Sequence, residues 1–349
     1  MFKLIRESTH LTQARLAETL IVDVATVQGW ESGRRPLGAL RSADLVRLRM
    51  SMRRLGAPAV ALAVLDLAIE ADLILFDAVE AGPAVLAANT HPLAAVVHRR
   101  TLTSLLTWPF TGIVPGVLAV PRQTARRGPV ADRPLLGSEE RARFFDHLQV
   151  TADASRGTAN ALLRRQAVYL LGFDQRPDSA RWLTSELQDA NRGVGRADHL
   201  SSWVAHRSSA IALAQKGHRD ALDAFVARKL STDAQEIANL NYWAYWLGEI
   251  PDPQVNDDFM TTVDPEQWFG ARVLDHLLDR LNPGSHHADL NIHTLWALLL
   301  ARPIVLRGRR HAQARAGEVV DRMSAHPHLT HRARRELDSV AYAIRLADR

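Results

Sequence analysis

Residues 11–35 read LTQARLAETLIVDVATVQGWESGRR, and the fold of the N-terminal region is decided there. Thr12 can cap a helix over about Gln13 to Thr19, its hydroxyl accepting from an N–H that the first turn leaves free. Leu16 and Leu20 are four apart and share one face of that helix. Leu20–Val22 reads as a tight turn. Asp23 then caps a second helix, Val24 to Ser32, on which Val27 and Trp30 point the same way. Gly33 suits the left-handed stop after it. Working outward, Phe2 to Ser8 reads as a short first helix with Phe2, Leu4 and Ile5 as its apolar residues. A fourth helix is expected from about Leu40 to Leu55, ending at Gly56.

The pattern Gln13-x3-Ala17-x4-Val22-x4-Val27-x3-Glu31-x-Gly33 resembles the Xre family of helix-turn-helix regulators, the group of the lambdoid phage repressors. The resemblance covers residues 1–56, about one sixth of the chain. It implies a lambda-repressor-like DNA-binding domain and assigns roles residue by residue. Val24, Ala25 and Gln28 face base edges in the major groove. Gln13 donates to a phosphate from a helix N-terminus, Thr26 lies beside the base-facing residues within reach of a phosphate, and Arg34 and Arg35 sit near the DNA backbone. Arg6 and Glu31 match the family's structural ion pair. Two residues depart from the family's pattern. Ile21 stands where glycine is usual, and a β-branched residue resists positive φ, so a longer or differently shaped turn is expected. Gly29 stands where a long polar side chain is common. It empties a base contact and weakens the helix by up to about 1 kcal/mol relative to alanine.

Charge supports the same reading. Residues 1–56 hold ten Lys/Arg and five Asp/Glu, which is the whole net charge of +5. The remaining residues balance at 33 bases and 33 acids. A basic module on a neutral body is the footprint of a nucleic-acid-binding head.

Residues 57–107 form an apolar segment. No Lys or Arg occurs from Leu55 to His98. Leu62, Leu65, Ile69, Leu73 and Phe76 recur at helical spacing, Gly82-Pro83 breaks the helix, and a second helix is expected from Pro92 to Thr107. The pair reads as core or as a dimer seam. Asp66, Glu70, Asp72 and Asp77 exclude a membrane span there. Residues 108–137 differ in kind, with five prolines, four glycines and the bases Arg122, Arg126, Arg127 and Arg133. They read as a connector, with a contact to DNA or a partner as the alternative.

Residues 138–349 read as ten further helices, each of 12–19 residues, separated by short breaks. Among them are Glu139–Ala154, Asp233–Gly248, Pro265–Leu281 and Leu290–Leu306. No clean repeat emerges, so the expectation is a larger TPR-like helical array serving dimerisation or signal sensing, and an all-α protein overall. The segment with Asn239, Tyr242, Trp243 and Trp246 is the candidate pocket for a peptide or small-molecule effector. Plain hairpin packing is the alternative.

The chain has no cysteine, so disulfides, thiolate metal sites and cysteine nucleophiles are excluded. The histidine groups His286, His287, His293 and His326, His328, His331 lack metal-ligand spacing, and no cofactor or nucleophile motif appears. The N-terminus lacks a signal-peptide core. The expectation is a cytoplasmic, non-enzymatic transcriptional regulator that binds double-stranded DNA as a homodimer. The alternative is a protein- or peptide-binding scaffold, antitoxin- or adaptor-like, whose head is only a packing module.

Overall fold

Apolar residues recur every three or four positions along the chain, so the backbone pairs its own N–H and C=O groups within helices. In the computed structural model, which describes residues 1–118, 134–192, 199–326 and 329–347, the described residues hold seventeen α-helices and no strand. The protein is all-α. Its helices belong to two compact units, Met1–Ser155 with Leu162–Ala167, and Arg156–Ala161 with Val168–Arg349.

In the first unit, α1 (Phe2–Ser8), α2 (Gln13–Leu20) and α3 (Val24–Ser32) close over Ile5, Leu16, Ala17 and Val27, all buried. Phe2 meets Trp30 edge to face, with ring centroids 5.5 Å apart. A 3-10 turn at Leu37–Ala39 delays α4 to Ser42–Arg54. The spine is α5 (Ala59–Ala81), on which α1, α4, α6 (Arg100–Thr111) and α7 (Ser138–Ala154) pack. Two acids of this apolar helix receive arginines from flanking segments. Arg49 Nη1 donates to both oxygens of Asp66 at 2.7 and 3.0 Å, and the Arg99 fork meets Glu70 at 2.5 and 2.6 Å.

Several boundaries differ from the sequence reading. Of the row Leu62 to Phe76, Leu62 and Leu65 are buried, whereas Leu73 and Phe76 are more than half exposed. In the second half of the helix the buried face is carried by Ala71, Ile74, Leu75, Ala78 and Val79 instead. The helix expected over Pro92–Thr107 is broken. Pro92–Val96 is a 3-10 turn, Val97 is extended, and His98 takes φ 72° before α6 begins.

A buried histidine relay holds this break. The Leu93 N–H donates to His91 Nδ1 (3.2 Å), which places the His91 proton on Nε2. That proton points at His147 Nε2, 2.9 Å away, and His147 Nδ1–H donates to the Gly82 carbonyl at 3.0 Å. Both rings are therefore neutral. Burial pushes both pKa values down, that of His91 to about 4 with the neighbouring His147 adding to the effect.

Helix α6 runs through Pro109 to Thr111, and Trp108 is a core residue rather than the start of a loop. Residues 119–133 of the Pro/Gly/Arg-rich stretch, with its four arginines, lie outside the described residues. Helix α7, which the sequence reading put in the array, packs on α5, and the first unit continues to Ser155.

Beyond it, α8 (Ala161–Leu171) is divided between the two units. In the second unit, α9 (Pro177–Arg192) and α11 (Arg219–Lys229) pack on α10 (His199–Gln215). Then come α12 (Asp233–Leu247), α13 (Phe259–Thr262), α14 (Ala271–Arg280), α15 (Ala288–Ala301), α16 (Arg310–Ser324) and α17 (His331–Ala347). The α14–α15 hairpin stacks on the α16–α17 hairpin, first helix on first and second on second. Helix α15 also touches α11 and α12, which is why Ile292, Leu295 and Leu298 are fully buried.

The helix expected over Pro265–Leu281 is interrupted, because Trp268 turns inward and Gly270 takes φ 93°. The Trp268 indole N–H donates to Asn241 Oδ1 at 2.9 Å, and Asn241 Nδ2 donates to the Met260 and Val263 carbonyls. One fully buried asparagine thus pins three chain segments. The helix expected to reach Leu306 stops at Ala301, since Pro303 cannot supply the next N–H.

Candidate nucleic-acid interface

The link between α2 and α3 is set by backbone hydrogen bonds. Thr12 Oγ1 accepts from the Arg15 N–H at 3.2 Å and starts α2. At its end the Val22 N–H returns to Ala17 O (3.0 Å) and the Ile21 N–H to Glu18 O (3.3 Å), the double bond of a Schellman stop. Ile21 adopts φ 55°, ψ 49°, so the turn keeps the shape that a glycine would allow. The expectation of a longer or different turn is overturned. The Ile21 side chain is 92% exposed and meets no wall, and the two hydrogen bonds offset the cost of a left-handed β-branched residue. Asp23 precedes α3, but its carbonyl rather than its carboxylate takes the first N–H, that of Thr26 at 2.9 Å.

Beneath this pair lies a polar brace. The Glu31 carboxylate, its side chain fully buried, accepts from Arg6 Nε at 2.5 Å and Arg6 Nη2 at 3.4 Å. Arg6 Nη1 also donates to the Leu11 carbonyl at 2.7 Å. The predicted ion pair is formed, and it ties α1 and the start of α2 to the end of α3. Gln13 Nε2 donates to Glu31 at 2.5 Å, and Gln28 Nε2 approaches Gln13 Oε1 at 3.4 Å. Gln13 and Gln28 therefore form one chain running outward from the buried carboxylate.

The outward face of α3 carries Val24, 40% exposed, and exposed Ala25, with Gln28 half-buried beside them. Arg34 is exposed, its Nε donating to Ser32 Oγ at 3.2 Å. Arg35 takes a place that sequence reasoning missed. Rather than trailing away after Gly33, it folds back on α3, with its N–H on the Gly29 carbonyl at 3.1 Å and its Nη1 on Thr26 Oγ1 at 2.6 Å. Gly29 is buried beneath that side chain, so it is a seat rather than an emptied contact position. The signal in the sequence was the glycine itself, since a glycine inside a helix is costly relative to alanine and calls for a packing reason.

In the second unit, Asn239 is buried and its amide donates to Thr294 Oγ1 at 3.0 Å. Tyr242, Trp243 and Trp246 are half-buried against the core, and the Arg207 guanidinium lies 3.8 Å from the centre of the Tyr242 ring. These four residues pack a helix face. An open depression of about 660 Å³ lies elsewhere in this unit, lined by Asp275, Arg309, Arg310, His311 and Arg315 among others. His293 is buried with Nδ1 2.9 Å from Glu336, and among the described residues no three His, Asp or Glu side chains converge as metal ligands. No described helix is long and apolar enough to cross a membrane.

Comparison with known proteins gives no match: no family model, no characterised protein and no solved structure matches the chain.

Proposed function

We propose that the first unit carries an Xre-type helix-turn-helix head that binds double-stranded DNA, and that the protein is a sequence-specific transcriptional regulator acting in the cytoplasm as a homodimer. One observation carries the reading: α3 is braced from below by the buried Arg6–Glu31 pair while Val24, Ala25 and Gln28 stay on its open face. A rigid helix presenting small apolar and amide groups, on a module with five excess positive charges, suits insertion into a major groove. Val24 and Ala25 suit a thymine methyl, Gln28 a base edge, and Arg34 with Gln13 the flanking phosphates. The second unit then serves oligomerisation or sensing.

A second reading is favoured by exposed apolar residues. Val46, Met50, Leu73 and Phe76 are each more than half exposed in the same unit, which suits a protein partner and a head that is a packing module. Footprinting of the full-length chain on genomic DNA separates the two. A protected palindrome with half-sites about one helical turn apart supports the regulator. A stable complex with another protein, free of DNA and with no footprint, supports the scaffold.

A further inference from the structure

Gly29 is the odd residue of α3. It sits buried in the middle of a helix, where alanine is the better helix former. A Cβ at this position would stand 2.9 Å from Arg35 Cγ, 3.0 Å from Cδ and 3.2 Å from Cβ. Those atoms are the root and middle of the arginine rather than its free end. Any residue other than glycine at position 29 therefore lifts the arginine stem off the helix. Held down, the stem carries the guanidinium one turn back towards the start of α3, where Nη1 donates to Thr26 Oγ1 at 2.6 Å.

Thr26 and Gly29 are three apart and form one row, and Ala25 and Gln28 form the row beside it. A long cationic side chain thus lies along the open side of α3 at the place where Gly29 offers nothing. The first turn of a helix is a poor place to store a cation, because the helix N-terminus is itself partly positive. Thr26 Oγ1 satisfies one donor there, and an electronegative edge approaching the same turn would engage the rest.

We propose that Arg35 reads a base, that Gly29 is its seat, and that the base is guanine. The inference rests on the DNA-binding reading above. The major-groove edge of guanine presents O6 and N7 as paired acceptors, which match the parallel donors of a guanidinium. Thr26 takes one donor and orients the plane, leaving the rest of the fork to the base. A phosphate contact would need neither the glycine seat nor the threonine clasp, since charge alone serves there.

The test uses the full-length protein and a randomised duplex library, followed by titration on the selected duplex. The wild type should require guanine at one position of each half-site. Arg35→Ala should lose that preference alone, with binding to the guanine duplex falling about 5- to 100-fold. Gly29→Ala should give the same positional loss although it strengthens the helix, which separates the effect from misfolding. Replacing that guanine by 7-deazaguanine should weaken the wild type and leave Arg35→Ala unchanged. If Arg35→Ala weakens every duplex alike, or Gly29→Ala keeps the guanine preference, the inference fails and the regulator reading stands. A wild type with no sequence preference at all overturns both.

Discussion

Truncating Arg6 to alanine should loosen the whole N-terminal module, and the geometry sets the size of the effect. The Glu31 side chain is 0% exposed and that of Arg6 10%, so neither is screened by water. Breaking a buried pair by removing one partner costs about 3–5 kcal/mol, because the other charge is left in a low dielectric. The lost donor to the Leu11 carbonyl adds about 1 kcal/mol. Gln13 still donates to Glu31 and offsets part of this, which leaves about 3–4 kcal/mol. Glu31→Gln keeps an acceptor of the same shape and should cost about half as much. The double variant Arg6→Ala/Glu31→Ala should cost less than the sum of its single changes, since the two groups act as one unit. Amide exchange of α1, α2 and α3, followed by mass spectrometry on the full-length chain, reads the local opening directly. A loss of 3 kcal/mol appears as about a 150-fold faster opening equilibrium. If Arg6→Ala speeds exchange in α3 by less than about fivefold, the pair is worth only what surface pairs are worth, and the brace argument is refuted.

Ile21→Gly should stabilise the α2–α3 junction by about 0.5–1 kcal/mol, because relief of left-handed strain exceeds the added freedom of the unfolded chain. A raised protection of Leu20 to Val22 in exchange measurements checks it, and unchanged protection contradicts it. Asn241→Ala should strand the Trp268 indole N–H and the carbonyls of Met260 and Val263 inside the core, costing the second unit about 3 kcal/mol or more. Thermal unfolding followed by tryptophan fluorescence reads the loss. The buried histidine pair predicts an acid-sensitive first unit. His91 stays neutral in the fold down to about pH 4, whereas an unfolded chain takes up that proton near 6.5. Its contribution is complete above pH 6.5, declines as pH falls, and amounts to about 3 kcal/mol lost by pH 4, with His147 adding in the same direction. Urea midpoints measured between pH 7 and 4.5 should fall steadily, and the slope should lessen in His91→Asn.

By itself the sequence determined the helices of the N-terminal module and the Thr12 cap, though not the carboxylate cap expected of Asp23. Thr12 before α2, Gly33 after α3 and the spacing of Leu16, Val27 and Trp30 are local facts, decided within one or two turns of chain. The Arg6–Glu31 pair was also within reach, because the resemblance of the N-terminal stretch pointed to those two side chains as partners. Tertiary structure decided the rest. Nothing near Ile21 in the sequence says that a β-branched residue will accept a left-handed turn; the returning Val22 and Ile21 N–H groups impose it. Leu73 and Phe76 have the period of core residues, yet the face of α5 that is buried over that turn carries Ala71, Ile74, Leu75 and Ala78 instead. His98 and Trp268 break helices that periodicity would continue, because His91 and Asn241 anchor the flanking chain to partners 56 and 27 residues away. Gly29 has no side chain to offer, and only the fold lays Arg35 across it. Periodicity and capping report what a residue's neighbours in the chain allow. Which face is buried, and which side chain arrives from outside to fill a gap, is settled by the energy of packing between segments, and that is carried by no single stretch of sequence.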